Sequence, residues 1–345
     1  MALSQQDLLV ISAVALISIL CISVLLKREN TIALPASTEI VQLRLYPIKS
    51  CRGIQVTSAK LLRTGLDLDR AWMFISAAER KFITIRQISK MTLIDTGLDQ
   101  ERDELTVRIR GTKSFFAIPA HPSEEWLNKN TILSKAIIWG EETDGYEYSS
   151  ELTAPISEFL GQDVRLFRKG PTPRVLRGNG QPKLLGRTES IMFPDLAPVQ
   201  VSSEKSIEEL NSRLKKQGED EITIERFRPN IVVKGHKPWT EDVWKTLEVS
   251  PVGLEKEKST LQTITLDVLA RCARCQVPNV DPDTAEKNKR QPWDTLMKYR
   301  RVDEGIKYKP CFGMLCAPRE EGELRVGMKI RILEVTHKHR YVTGM

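Results

Sequence analysis

Thr263-Ile264-Thr265-Leu266-Asp267-Val268-Leu269, then Ala270-Arg271-Cys272-Ala273-Arg274-Cys275-Gln276-Val277-Pro278-Asn279-Val280-Asp281-Pro282, is the stretch on which the reading of this 345-residue sequence turns. Its first part alternates apolar and polar residues and reads as a strand. Its second part places two thiols three positions apart, each beside an arginine. Neighbouring cations favour the thiolate, which is both nucleophile and metal ligand. Four readings compete for such a pair: a zinc site of four cysteines, a redox dithiol, a single thiolate ligand to a transition metal, and two inert buried cysteines. Zinc would need Cys311 and Cys316, but residues five apart on a strand face opposite ways, and Phe312-Gly313-Met314-Leu315 between them is apolar. The four histidines, His121, His236, His337 and His339, supply no pair beside the motif. A thioredoxin-like pair opens a helix, which Pro278 and Pro282 oppose here.

The chain is long enough for two domains. Hydrophobic residues make up 41% and charged residues 28%, which excludes disordered, collagen-like and multi-span membrane classes. The formal net charge of +7 is spread too thinly to imply nucleic acid, and no nucleic-acid partner is expected; a groove for a small anion fits it equally well. Leu8 to Leu26 holds no charged residue over 19 positions, enough to cross a hydrocarbon core of about 30 Å. Lys27 and Arg28 follow at once, so the run reads as an uncleaved signal anchor with the bulk of the chain in the cytosol, ahead of a cleaved signal peptide, which would want a basic start where only Asp7 is charged, and of a buried core helix. Besides Cys21 in that run, Cys51, Cys272, Cys275, Cys311 and Cys316 form an odd set without a dense framework, which suits a reducing compartment.

A polar linker over 27–38 leads into a strand from Ile40, where Val41, Leu43 and Leu45 alternate with polar neighbours until Pro47. Further strands are expected at Trp72–Ile75, Phe82–Ile85, Leu105–Ile109 and Asn230–Lys234, with two more around Gly327, so the chain reads as a β-rich barrel or sandwich. A helix is expected near Pro155–Leu160, stopped by Gly161. A Gly/Pro-rich loop over 169–187 reads as a domain seam. Ser206 and Glu209 read as a capping box for a helix that buries Ile207, Leu210 and Leu214 and ends at Gly218. Pro292 can start a short helix through Tyr299.

Cations recur at strand ends: Lys49 in Tyr46-Pro47-Ile48-Lys49-Ser50, Arg86 in Thr84-Ile85-Arg86-Gln87, and Arg228 in Arg226-Phe227-Arg228-Pro229-Asn230. Together they suit phosphate or another small anion. These three motifs, with Cys272-Ala273-Arg274-Cys275 and Val280-Asp281-Pro282, resemble in order and separation the MOSC family, and within it the amidoxime-reducing component group of molybdenum enzymes. The resemblance runs from about residue 38 to the C-terminus. It implies a β-rich α+β fold: a signal anchor over 1–30 forming one transmembrane helix, a MOSC-type N-terminal β-barrel domain over 38–185, and a MOSC β-barrel domain with peripheral helices over 186–340. It implies a molybdenum cofactor (Mo-molybdopterin) with Cys275 as catalytic residue and the metal's protein ligand. Lys49, Ser50, Arg86, Arg228 and Asn230 match positions that hold the pterin and its phosphate, and Cys272, Ala273 and Arg274 match a cofactor-contacting turn.

The chain departs from the family pattern at three places. Pro278 replaces a common threonine, Leu315 stands at a cofactor-contacting position where tyrosine is usual, and Gly327-Met328 replaces Gly-Asp. The implied activity is reduction of amidoximes, hydroxylamines and similar N-hydroxylated compounds. Neither C-x-x-C-H nor G-x-G-x-x-G is present, so electrons are expected from partners, in the family cytochrome b5 and NADH-cytochrome b5 reductase. The anchor is expected at the mitochondrial outer membrane. MOSC domains also end cofactor sulfurases, whose large pyridoxal-phosphate domain is not expected here because only about 38 residues precede the first strand. A non-catalytic cofactor carrier would share the whole binding set.

Overall fold

The computed structural model describes residues 34–251 and 262–343. The apolar run 8–26 lies outside the described residues, and among those described no helix is long and apolar enough to cross a membrane. Residues from Ala36 onward form one compact unit. At its centre seven strands close into a barrel: β1 (Thr38–Leu45), β2 (Val199–Ser203), β3 (Ile231–Val233), β4 (Trp244–Ser250), β5 (Ile264–Ala273), β6 (Cys311–Pro318) and β7 (Lys329–Val335). Their order is β3-β2-β6-β5-β4-β7-β1, and β1 returns to β3. Within this ring, β2 and β3 alone run parallel. Ile40, Leu43, Val201, Ile231, Trp244, Leu247, Leu266, Met314 and Ile332 fill the interior.

The phase of β1 differs from simple alternation. A bulge between Ile40 and Gln42 shifts the register against β3, so Ile40, Leu43 and Leu45 point into the barrel while Val41 packs outside with the helix Glu204–Lys215. β5 runs four residues further than the alternation suggested and ends at Ala273, opposite Cys311. Cys272 is therefore a strand residue, and Cys275 alone lies beyond the strand. The two segments flanking Gly327 are both strands but do not pair with each other: Gly322–Arg325 pairs with Ser58–Leu62, whereas β7 pairs with β1 and β4.

Residues between β1 and β2 build a second core around Trp72, Phe74, Met91, Leu105, Val107 and Leu166. Four strands (Trp72–Ser76, Val164–Lys169, Glu141–Glu147, Ile132–Ile138) and a three-stranded meander (Ile94–Asp99, Glu104–Ile109, Phe115–Pro119) supply it. The four-strand ladder is closed by the bridges of Lys81 to Ile137 and of Phe82 to Ile75, so a second, smaller ring of hydrogen bonds stands in the N-terminal half beside the meander. Phe82–Ile85 is not a strand. Phe82 makes one bridge to Ile75, and the chain then turns because the Gln87 Oε1 accepts from both the Thr84 N–H (2.8 Å) and its hydroxyl (2.7 Å).

Two helices show which local signals tertiary structure overrides. Ser150–Leu160 starts a turn earlier than expected, capped by Ser149, and ends at Gly161 with φ 73°. Glu204–Lys215 buries Ile207, Leu210 and Leu214 as its periodicity requires, but begins two residues before Ser206. No capping box forms. Ser206 is buried inside the helix, where its hydroxyl donates to Glu241 (2.6 Å) and accepts from the Trp239 N–H (2.9 Å).

His121 bridges two loops, with Nδ1 on Asp103 (2.6 Å) and Nε2 on Asp67 (3.0 Å). Partial burial works against the charged ring, but the bonds to Asp103 and Asp67 outweigh it and raise its pKa. The resulting stability is fully present below the unfolded value of about 6.5 and is lost as pH rises through the folded value. His121→Gln is expected to lose about 0.5–1 kcal/mol near pH 5, as for an exposed ion pair, and to converge with wild type above about pH 8. Denaturant melts of both proteins at the two pH values check this; a gap that widens with pH would refute it.

Candidate functional site

The end of the barrel near Ala273 meets the N-terminal core across an open-sided cleft of about 140 Å³. All ten residues singled out in the sequence line it: Lys49, Ser50, Arg86, Arg228, Asn230, Cys272, Ala273, Arg274, Cys275 and Leu315. They arrive from separate elements. Lys49 and Ser50 follow β1 in a tight turn, Ser50 at φ 73°. Arg86 sits on the turn held by Gln87. Arg228, at φ 56°, ends a 3-10 turn (Ile224–Phe227) just before β3. Leu315 lies on β6.

Five cations line the cleft (Lys49, Arg70, Arg86, Arg228, Arg274) against one carboxylate, Asp195. Lys49 and Arg86 share Asp195. Burial would raise that carboxyl, but Lys49 and Arg86 hold it well below the usual range. Burial pulls Lys49 down to about 8, against the pull of Asp195. Arg274 donates to the Gln200 amide oxygen (3.1 Å), the Cys272 sulfur (2.9 Å) and the Phe227 carbonyl (2.7 Å). Among the described residues the Arg228 guanidinium makes no hydrogen bond at all, whereas Arg274 leaves only its Nε without one. The Arg228 guanidinium lies 4.3 Å from the Tyr46 ring centre, and its buried Nη2 has no hydrogen-bond partner. Burial, reinforced by Arg70, pushes its pKa down to about 10. A buried cation with an unused donor facing a cleft is costly unless an anion completes it, so the residues present fit a phosphate-bearing group.

Asn230 works as a strut. Its side-chain oxygen accepts from the Gln200 N–H (3.1 Å) and Arg70 (3.3 Å), and its Nδ2 donates to the Arg44 carbonyl (3.3 Å). Three polar lining residues were not foreseen: Arg70, Asp195 and Gln200. Arg70, at φ 49°, donates to Asp69 (2.6 Å) and the Arg228 carbonyl (3.1 Å). Its place directly before strand Trp72–Ser76 was the available signal, the same strand-end position that marked the other cations. Asp195 gave none, being a lone acid in a Pro-rich connection. Of the departures noted, Leu315 lines the cleft and Pro278 does not.

The thiols separate clearly. Cys51, Cys272, Cys311 and Cys316 are buried, and Cys275 is partly exposed. Burial raises the pKa of Cys272 and pushes that of Cys311 up to about 12. Cys316 packs inside the barrel. Among the described residues no three metal-ligating side chains cluster, so the four-cysteine arrangement does not form. Cys275 instead lines the same cleft as Arg86. The cleft thus offers one partly exposed thiol next to an anion cradle. Iodoacetamide added to desalted native protein is expected to alkylate Cys275 before the other four, which become reactive on unfolding. Peptide mass spectrometry reads the order, and equal early labelling of Cys272 would contradict it.

Residues 37–163 match the MOSC N-terminal beta barrel domain and residues 188–331 the MOSC domain. The chain is 33% identical over 304 residues to mitochondrial amidoxime-reducing component 1 of Mus musculus, covering 85% of this chain and 82% of that one. It is 30% identical over 303 residues to component 1 of Homo sapiens, with the same 85% and 82% coverage. With mitochondrial amidoxime reducing component 2 of Bos taurus it shares 31% over 297 residues, covering 84% and 81%. The order of motifs, the anion cradle and this similarity along most of both chains agree: the protein belongs to the MOSC-domain family and is a relative of the mitochondrial amidoxime-reducing components.

Proposed function

We propose that the cleft holds a molybdenum cofactor and that the protein reduces N-hydroxylated compounds, amidoximes and hydroxylamines, to amidines and amines. The observation that carries this reading is the pairing of a single accessible thiol, Cys275, with the unpartnered Arg228 guanidinium in one cleft. Arg228, Lys49 and Ser50 would hold the phosphate, with Arg70 and Asn230 fixing the backbone around Arg228. Arg274 would face the pterin from the barrel side. Cys275 would bind the metal as thiolate, a soft ligand suited to it. When bound, the cofactor supplies a two-electron centre able to take oxygen from nitrogen; the protein supplies binding, orientation and electrostatics.

The names of the relatives support an oxidoreductase of this kind. Reducing equivalents would come from cytochrome b5 and NADH-cytochrome b5 reductase. The uncharged run 8–26 with Lys27 and Arg28 behind it supports anchorage at the mitochondrial outer membrane, with the catalytic unit facing the cytosol.

The test is turnover of benzamidoxime per bound molybdenum with reconstituted electron partners. Cys275→Ser is expected to abolish it, since a serine oxygen is harder and seldom ionised. Cys272→Ser is expected to retain most of it, because that sulfur is buried against Arg274 and Gln200 rather than accessible. Equal loss in both variants would overturn Cys275 as sole protein ligand. Molybdenum-loaded wild type that never turns over would mark a cofactor carrier instead. Arg228→Ala is expected to weaken cofactor retention by about one to two decades, the loss of one charge-assisted contact of roughly 1.5–3 kcal/mol. Molybdenum content after stringent desalting measures it, and wild-type occupancy would remove Arg228 from the phosphate site.

A further inference from the structure

Between the helix Trp293–Tyr299 and β6 runs a loop, residues 300–310, whose inner side is firmly held. Asp303 is buried, and its carboxylate accepts from the Arg271 guanidinium (3.3 Å) and from the N–H groups of Gly305 (2.9 Å) and Tyr341 (2.7 Å). Ile306 packs on Tyr341 and Ala270. Gly305 makes room for this, since a Cβ there would strike the Tyr341 backbone. The loop borders the cleft directly. Leu196 and Ala273, which line the cleft, pack against the same Ile306 and Tyr341. The Pro310 carbonyl accepts from the Arg274 N–H at 2.8 Å, one residue before Cys275.

The outer side of the loop has a different character. Val302 and Tyr308 are 41% and 62% exposed. The Lys309 ammonium lies 5.8 Å from the Tyr308 ring centre. The buried acids nearby are already committed, Asp303 to Arg271 and Asp242 to Arg300. Arg301, Lys307 and Lys309, with Lys338 and Arg340 on the C-terminal segment that crosses beneath the loop, form no ion pair among the described residues. Against these five cations the two segments set one exposed carboxylate, Glu304. A tyrosine and a valine ringed by uncommitted positive charge suit a partner of opposite charge. The fixed backbone beneath them loses little freedom on docking.

We propose that this loop is the surface on which the electron-delivering protein docks, through an acidic face of that protein. The inference rests on the reductase reading and adds to it the surface used. Removing oxygen from an N-hydroxyl group takes two electrons and two protons and releases water, so a one-electron carrier must dock and leave twice per turnover. Exposed charges around a small apolar contact suit that exchange, because they speed encounter without burying the area that would slow release. The position suits it as well, since the loop is hydrogen-bonded to the residue next to Cys275.

Titrating the full-length, molybdenum-loaded protein in detergent with the soluble haem domain of cytochrome b5 tests this, read by calorimetry and by the rate of haem oxidation with benzamidoxime present. Wild-type affinity is expected to fall roughly tenfold between about 50 and about 300 mM salt. Lys307→Glu combined with Lys309→Glu is expected to weaken binding by roughly tenfold and to slow haem oxidation in step. Turnover driven by dithionite-reduced methyl viologen is expected to stay at the wild-type level. The control is the same double reversal at Lys234 and Lys237, exposed residues that follow β3 at the barrel end away from Asn230 and the cleft, and it is expected to change binding by less than about twofold. Equal weakening by both double variants would reduce the effect to net charge and overturn the docking surface, as would a haem domain that does not bind or binds without regard to salt. Binding that depends on Lys307 and Lys309, in a loaded protein that turns over with neither reductant, would leave the docking surface standing and remove the reductase reading.

Discussion

The ladder between β1 and β3 is the contact on which the rest depends. Ile40, Gln42 and Leu43 pair with Val233, Val232 and Ile231 and so turn a seven-strand sheet into a closed barrel. Closure removes two edges that would otherwise expose unpaired backbone groups. It also fixes the cleft, because Lys49 and Ser50 follow β1 while Arg228 and Asn230 precede β3. Asn230 records this junction in its own bonds: its carbonyl accepts from the Arg44 N–H and its N–H donates to the Gln200 carbonyl, each at 2.9 Å. One residue thereby locks three neighbouring strands at the point where the anion cradle begins.

Electrostatic cost is concentrated at the cleft. Asp69 answers Arg70, and Asp195 answers Lys49 and Arg86. Arg228 and Arg274 are left to neutral groups, a ring face and backbone or amide oxygens. A fold stabilised mainly by apolar burial, with cores around Leu247 and Trp72, can carry two such cations because its barrel and second core hold them in position. Polar networks of this kind are rigid when completed and expensive when partly filled.

Much of this was legible in sequence, and the misreadings have a common origin. Apolar spacing placed Ile207, Leu210 and Leu214 on one helix face, because burial periodicity is a property of the helix itself. The capping box at Ser206 and Glu209 failed because Ser206 serves Glu241 and Trp239, partners some thirty positions away. Strand-end cations could be recognised as a set, and the cleft gathers them. Arg70 escaped that set although it obeys the same rule, and Asp195 had no local mark at all. The alternation of β1 was misphased by a bulge that only its pairing with β3 reveals. Local rules were reliable where the partner is near in the chain and silent where it is distant.

The pairing of β1 with β7 has a consequence for how the chain is made. Thr38 and Glu39 lie opposite Ile330 and Lys329, and the Lys329 ammonium reaches Glu39 across 290 positions of sequence. At a synthesis rate of about 5–20 residues per second, that separation corresponds to roughly 15–60 seconds during which the first barrel strand has no final neighbour on that side. The second core, whose residues are all contained between β1 and β2, can be completed in that interval. The β1–β3 ladder can form once residue 233 is made and brings Lys49 to the Arg228 segment, and the thiol turn at the end of β5 joins them later. The cleft is therefore completed in stages, and until the last strand emerges the start of β1 keeps one unpaired edge, at Thr38 and Glu39, as the edge in need of protection.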